Sequence, residues 1–297
     1  MSVAAAVNLL LYHLQKEQDA SPLTIRNYRH YLKRFIQFCD DHSPSLSTLQ
    51  DISHKAIDQY QYYLNELTDK NGVALKRITK AYHLIALRTF FRFLTKKGYC
   101  RISYRLISLP AMNRQSVTVL HPETVDKLLN KPRLSTPAGL RDRALLTVLT
   151  TTGITVTELV SLNRDDVDLK EQMMIVQRRN GRRRQITTPP ETLSWINRYL
   201  SMRTDHYKPV FIRYAGKRLD RENVDDGIRL SSRSVQRTVE KYAKKSGITA
   251  AVTPQILRHS YAVQLLKRGA DSRSLQKFLG YESALSIKQY DHFARKP

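Results

Sequence analysis

Apolar residues return every three or four positions through the first hundred residues of this chain, and then the pattern stops. After Ser21-Pro22, a capping serine followed by a first-turn proline, Ile25, Tyr28, Leu32, Phe35 and Cys39 fall on one helical face. Arg26, Arg29, Lys33 and Arg34 lie largely on the others. A second stripe begins near Ser53 with Ile57, Tyr60, Leu64 and Leu67. A third covers about Val73 to Lys97 through Ile78, Tyr82, Leu87, Phe91 and Leu94. Lys96-Lys97-Gly98 closes it, with cations at the negative end of the helix dipole and a glycine suited to the left-handed cap. The opening residues, MSVAAAVNLLLYHLQKEQ, lack a charged leader and a cleavage site, so they read as one more amphipathic helix. A four-helix domain is expected over residues 1–105. Residues 106–117, LISLPAMNRQSV, hold a proline and no sustained period, and are expected to link it to a second domain.

From 118 to 297 the pattern is helix, short sheet, then helices. His121-Pro122-Glu123 opens one helix, and Leu140 to Thr151 forms a leucine-rich second. Strands are expected near Met173–Gln177 and Arg184–Thr188, on either side of Arg178-Arg179-Asn180-Gly181, whose Asn-Gly pair is a hairpin signal. Helices are expected again at Pro190–Met202, Ser232–Ser246, Gln255–Arg268 and Ser272–Leu279. The fold class is mostly α with a small antiparallel β-sheet. The length of 297 residues suits two domains, and 41% apolar residues suffice for two cores.

Charge narrows the function. Fifty Lys and Arg against 26 Asp and Glu give +24, which points to a polyanion, because every phosphate neutralised by a basic side chain releases a counterion. Residues 1–117 hold 17 basic and 8 acidic side chains, and the rest of the chain carries an excess of 15 basic ones. Both halves are therefore expected to meet the same polyanion, as a clamp. Cys39 and Cys100, far apart in apolar surroundings, fit buried thiols in a reducing compartment such as the cytoplasm. No apolar run of 18 residues occurs, so no membrane association is expected. GxxxxGK[ST], GxGxxG and HExxH are all absent, and the nine histidines do not pair with cysteines at ligand spacing. No metal and no cofactor are expected.

One ordered set of motifs is more specific. TPQILRHS (253–260), then Leu279-Gly280-Tyr281, then Gln289-Tyr290 resemble the tyrosine recombinase (phage integrase) family, most closely its Xer-type branch. The resemblance spans nearly the whole chain. SPLTIRNYRHYLKRFIQF and TFFRFLTKKGY are similar to the family's N-terminal helical DNA-binding domain. LRDRALLTVLTTTG, ELVSLNRDDVDL and TPQILRHSYAVQLLKRGADSRSLQKFLGYES are similar to its catalytic domain, expected over 118–297.

The resemblance implies a reaction. A tyrosine oxygen attacks a DNA phosphodiester, leaving a 3′-phosphotyrosine and a free 5′-hydroxyl, and reversal onto another strand rejoins DNA without metal or ATP. Guanidinium forks suit the charge that accumulates on the non-bridging oxygens. On this chain the family's nucleophile falls on Tyr290 and its LRH arginine on Arg258, with His259 beside it. Other positions depart. The first arginine, in a TGLR segment, falls on Thr155, which offers a hydroxyl without charge. The hairpin lysine falls on Arg179, charged but a poor proton donor. The His or Lys before LRH becomes Gln255, and the later His or Trp becomes Tyr281. Arg179, Arg182 and Arg183 are open to replace the missing charge. Glu158 and Asp166 read as structural pairing partners.

For DNA contact, the exposed cluster Lys76, Arg77 and Lys80 and the hairpin residues Arg178, Arg182 and Arg183 are expected to meet phosphates. The Tyr-rich stripes of the first domain read as core. Duplex DNA is the expected partner, with a tetramer of this chain on DNA or pairing with an intact recombinase as the assembly. Seven residues follow Tyr290, too few for a long tail helix exchanged between subunits. Two functions fit this set: a site-specific recombinase with an atypical active site, or a recombinase-derived protein that occupies DNA without cutting it.

Overall fold

The computed structural model describes residues 1–42, 48–69, 71–110, 117–178, 181–214, 224–281, 283, 286–290 and 293. The chain divides into two compact units, Met1–Arg114 and Gln115–Pro297. It is mostly helical with one small antiparallel sheet. Among the described residues no helix is long and apolar enough to cross a membrane.

The first unit packs α1 (Val3–Lys16), α2 (Pro22–His42), α3 (His54–Glu66) and α4 (Arg77–Lys96). Serine hydroxyls start three of them: Ser2, Ser21 and Ser53 accept the N–H groups of Ala5, Thr24 and Ala56 at 3.2, 3.2 and 3.3 Å. Leu32, Phe35, Tyr60, Leu64, Leu87, Phe90, Phe91 and Leu94 are buried together, and Phe35 meets the Tyr60 ring edge-on at 5.0 Å. Tyr60 is therefore core, as the sequence suggested, and Tyr28, Tyr31 and Tyr63 pack partly against it.

Two details of α4 differ from expectation. It begins at Arg77 rather than Val73, because the Asp69 carboxylate accepts the N–H groups of Asn71 and Val73 at 2.8 and 3.0 Å. That ties the preceding segment into a turn, completed by Gly72 at φ +76°. Ile78 and Tyr82 are exposed, and Ala81 and Leu84 are buried in their place. The step from 82 to 87 is five residues, which at about 100° per residue rotates well off the face of Leu87, Phe91 and Leu94. Cys39 is buried, but Cys100 is only half-buried, with its Sγ accepting the Ile102 N–H at 3.3 Å. Ile107, inside the expected linker, is buried in this unit's core.

The second unit contains α5 (Pro122–Leu129), α6 (Pro137–Thr152), α7 (Val156–Ser161), β1 (Val167–Asp168), β2 (Met173–Gln177), β3 (Arg183–Thr187), α8 (Pro190–Ser201), α9 (Val224–Ile228), α10 (Ser232–Lys245), α11 (Pro254–Lys267) and α12 (Ser272–Leu279). Leu140, Leu145, Leu146, Val148 and Leu149 bury α6 nearly all round, as expected of a central helix. Its Gly139 is required by crowding, since a Cβ there would stand 1.8 Å from the Arg133 carbonyl oxygen. The sheet order is β1-β2-β3, antiparallel throughout, with Gln177 opposite Arg183 and Val176 opposite Arg184. The two-residue β1, paired to Met173 and Met174, has no alternation long enough to be read from the sequence.

The β2–β3 hairpin closes tightly. Arg178 N–H donates to the Arg182 carbonyl at 2.7 Å, and Gly181, at φ +78°, donates its N–H to the Arg178 carbonyl at 3.0 Å. Arg179 and Asn180, at the expected turn, lie outside the described residues.

Candidate active site

Helix α11 sets the site. Thr253 caps it by accepting the Ile256 N–H at 3.3 Å, and Pro254 occupies its first turn. Four-residue spacing then brings Gln255 and His259 together, with the Gln255 amide nitrogen 3.2 Å from His259 Nε2. The other ring nitrogen, Nδ1, lies 2.6 Å from the Tyr290 hydroxyl. Tyr290 comes from the 3-10 turn Lys288–Tyr290, is fully buried, and also lies 3.2 Å from the Tyr281 hydroxyl.

Arg258 is buried behind this row. Its Nη1 donates to the Gly153 carbonyl at 2.5 Å and its Nη2 to the Leu279 carbonyl at 2.7 Å, while its guanidinium carbon stands 4.8 Å from the centre of the Tyr281 ring. Both carbonyls belong to helix ends that turn on left-handed glycines, Gly153 at φ +59° after α6 and Gly280 at φ +68° after α12. A Cβ at Gly153 would meet the Tyr261 ring at 2.5 Å, so no other residue closes α6 here. Arg258 is thus held by two neutral acceptors.

Electrostatics are set by burial. Desolvation, with the Tyr281 hydrogen bond adding to it, pushes Tyr290 well above the usual phenol range. Burial and then the Arg258 charge hold His259 below the ordinary imidazole value of 6.5, so it is neutral at pH 7. The row thus joins a protonated phenol to a neutral imidazole, an arrangement in which a proton can pass from one to the other. Among the described residues, no three His, Cys, Asp or Glu side chains converge as metal ligands.

Of the residues singled out from the sequence, Tyr290, Arg258, Gln255 and Tyr281 come together. Thr155 stands at the start of α7 and is turned to structural work. Its hydroxyl accepts the Glu158 N–H at 3.2 Å and donates to Glu158 Oε2 at 2.9 Å, and its N–H donates to the same oxygen at 2.7 Å. Arg184 completes that group, with Nε 2.8 Å from Glu158 Oε1 and Nη1 donating to the Phe278 carbonyl at 2.7 Å. Burial alone would raise the Glu158 pKa, but Arg184 and Thr155 together hold it below the usual value.

The hairpin arginines divide. Arg179 lies outside the described residues. Arg182 is exposed, and Arg183 is mostly exposed while donating to Asp166 at 2.5 Å. Arg178 is half-buried, with Nη2 2.8 Å from where a Cβ would stand at Gly280. In the first unit, Lys76 and Arg77 are exposed at the start of α4, and Lys80 Nζ donates to the Asn65 carbonyl and side chain, both at 3.2 Å. Sequence reasoning missed Arg184. The signal was Glu158, an acid between Val156 and Leu159 in a short helix, which needs a cation once buried. It also gave His259 no role of its own, since nothing in the spacing reveals which ring reaches Tyr290.

Two family profiles account for most of the chain. Residues 118–296 match the profile described as "Phage integrase family", and residues 7–98 match "Phage integrase, N-terminal SAM-like domain". The chain belongs to the phage integrase family. Within the family it is similar to Tyrosine recombinase XerC of Roseiflexus castenholzii, 31% identical over 296 residues, covering 96% of this chain and 88% of that one. Tyrosine recombinase XerC of Oceanobacillus iheyensis is 29% identical, covering 97% and 92%. The fold matches that of the Tn1549 transposon integrase in complex with a circular intermediate DNA, at a TM-score of 0.73 and 14% identity, covering 98% and 95%. It likewise matches XerH recombinase bound to palindromic difH substrate in a post-cleavage complex, at 0.71 and 21%, covering 97% and 82%. The phage integrase family's catalytic portion therefore corresponds to the unit that carries Tyr290.

Proposed function

We propose that this protein is a site-specific recombinase that cuts and rejoins duplex DNA through a 3′-phosphotyrosine on Tyr290, with Arg258 binding the scissile phosphate. The observation that carries this reading is the 2.6 Å contact between the Tyr290 hydroxyl and His259 Nδ1, set beside the Arg258 guanidinium. It is supported by family membership and by relatives named as tyrosine recombinases.

The chemistry comes from the groups present. Tyr290 Oη attacks phosphorus and its proton passes to His259 Nδ1, while the phosphorus–5′-oxygen bond breaks and the leaving oxygen takes a proton from water. That role requires His259 to be protonated on Nε2 before attack. With the Gln255 amide nitrogen facing Nε2 the ring proton sits on Nδ1, so the Gln255 amide must turn its oxygen to the ring before His259 can accept the phenol proton. Gln255 thereby orients the imidazole without moving a proton itself. Charge building on the non-bridging oxygens is met by the planar guanidinium fork of Arg258. Tyr290 is buried with its phenol protonated, so its hydroxyl must be uncovered before it can attack. Several copies acting together on one DNA site would supply the second strand for rejoining.

The test is a library of nicked duplexes of randomised sequence, incubated with the full chain and then captured through protein-linked strands. Adducts are expected, and Tyr290→Phe should abolish them by removing the one nucleophile. Tight, selective binding with no adduct would instead favour a protein that occupies DNA without cutting it. The hydroxyl of Thr155 and the amide of Gln255, both turned to neighbouring side chains, are what that reading would rest on.

A further inference from the structure

We propose that Arg178 supplies the guanidinium that Thr155 lacks, reaching the scissile phosphate from the hairpin instead of from the start of α7. The inference rests on the recombinase reading above and adds a catalytic residue to it.

The starting point is a charge imbalance around residues 278–281. Arg184 Nη1 lies on the Phe278 carbonyl, Arg258 Nη2 on the Leu279 carbonyl, and Arg178 Nη2 against Gly280. Three guanidinium groups therefore crowd four consecutive residues. Glu158 neutralises one of them, Arg184, through two contacts at 2.8 and 3.3 Å. Arg258 is bound by carbonyls alone. The Arg178 guanidinium has no hydrogen-bond acceptor and no acidic partner among the described residues, although it is half-buried and lies beside Arg184.

A half-buried cation held next to another cation is unfavourable unless an anion joins it. Such an anion would be met by two uncompensated guanidiniums, Arg178 and Arg258, which approach the 279–280 segment through its side-chain-free glycine and its carbonyl. A phosphodiester gaining charge in a transition state has that chemistry. The neighbours are already committed: Arg184 to Glu158 and Phe278, Arg183 to Asp166. Among the described residues, Arg178 alone of these keeps its guanidinium donors unspent.

Local structure holds it there. The Arg178 backbone is pinned by its N–H bond to the Arg182 carbonyl at the end of β2, so the side chain leaves a paired position, not a loose tip. Gly280 makes the approach possible. A Cβ at 280 would stand 2.8 Å from Arg178 Nη2 and 3.0 Å from Arg184 Nε. Thr155 connects to the same cluster through Glu158 and Arg184.

The experiment measures single-turnover cleavage of a nicked duplex recovered from the randomised library, with the full chain at saturating concentration. Each substrate is made twice, with an ordinary scissile phosphate and with a methylphosphonate that removes one non-bridging charge. Arg178→Ala should slow cleavage of the phosphate by about 10²-fold or more, the scale for loss of one transition-state donor. Affinity in a gel shift should change little, and on the methylphosphonate the two proteins should differ by less than about tenfold. Arg178→Lys should recover part of the rate, as charge without the fork. Unchanged fluorescence from Trp195, the single tryptophan, confirms that the second unit is folded. Equal losses on both substrates, a loss confined to affinity, or no loss would each overturn the assignment to Arg178 while leaving the recombinase reading intact. A library from which the wild-type protein binds duplexes selectively yet yields no adduct would overturn both.

Discussion

The two units bury different things. In the first, His83 is the one polar side chain buried among the described residues, set in a core of Leu, Phe and Tyr. In the second, the buried set includes Asp142, Arg143, Glu158, Arg258, Ser260 and several threonines. Burying charge brings little net stability, because desolvation offsets most of the attraction. The second unit therefore carries an arrangement that stability alone would not favour. What it obtains is position: Arg258 held by two carbonyls, Glu158 by Thr155 and Arg184, His259 by Gln255. The first unit, closed by apolar packing, leaves its charge outside at residues such as Lys76 and Arg77. The difference in what is buried thus sets apart the unit that carries Tyr290 and Arg258.

That contrast can be broken most directly at Arg258. Arg258→Ala would orphan the Gly153 and Leu279 carbonyls and strip the cation from the Tyr281 ring. A loss of about 3–5 kcal/mol is expected, from two unsatisfied buried acceptors and a cavity. Urea unfolding followed by Trp195 fluorescence reads the second unit alone, since that residue lies in α8. A loss below about 1 kcal/mol would mean that buried polarity is not integral to this unit.

The first unit should fail differently, through its one buried polar side chain. Burial, then the nearby Arg34 charge, lowers His83 from 6.5 to about 4, and its Nδ1 has no hydrogen-bond partner. The neutral form is the one the fold holds. Its contribution is complete above about 6.5 and is lost as pH falls toward about 4, a change of roughly 3 kcal/mol at most. Urea titrations at about pH 7 and about pH 4.5, followed by tyrosine circular dichroism, should show the first unit weakening, with His83→Leu removing most of the slope. An unaltered slope in His83→Leu would place the acid sensitivity elsewhere.

The smallest effect sharpens the comparison inside the second unit. Thr155→Ala removes a helix cap and one of the partners of Glu158, at a cost of about 1 kcal/mol. Cleavage should stay within about threefold of wild type, because the hydroxyl faces Glu158 and not DNA. A fall of about 10²-fold would show that Thr155 itself meets the phosphate.

Much of this was legible from residue order. Local spacing determines helices, so the stripe from Ile25 to Cys39, the capped start of α11 and the Arg178–Gly181 hairpin could be read without coordinates. Four motifs in order identified the family and singled out Tyr290 and Arg258. The failures were also local in origin: a five-residue step carried Ile78 and Tyr82 off the buried face, and an Asp69 turn delayed α4. What the residue order could not determine is which groups meet across long separations. Arg258 reaches Gly153 over 105 positions, Arg184 reaches Phe278 over 94, and His259 reaches Tyr290 over 31. Those meetings depend on how α6, α11, α12 and the hairpin pack together, and packing is a property of whole surfaces. Sequence alone therefore determined the family, the motif positions of Tyr290 and Arg258, and the absence of an arginine at 155. Tertiary structure decided that Thr155 serves a helix end and that Arg178 stands beside Gly280 with no acidic partner among the described residues, because only assembled side chains reveal which charges are already neutralised.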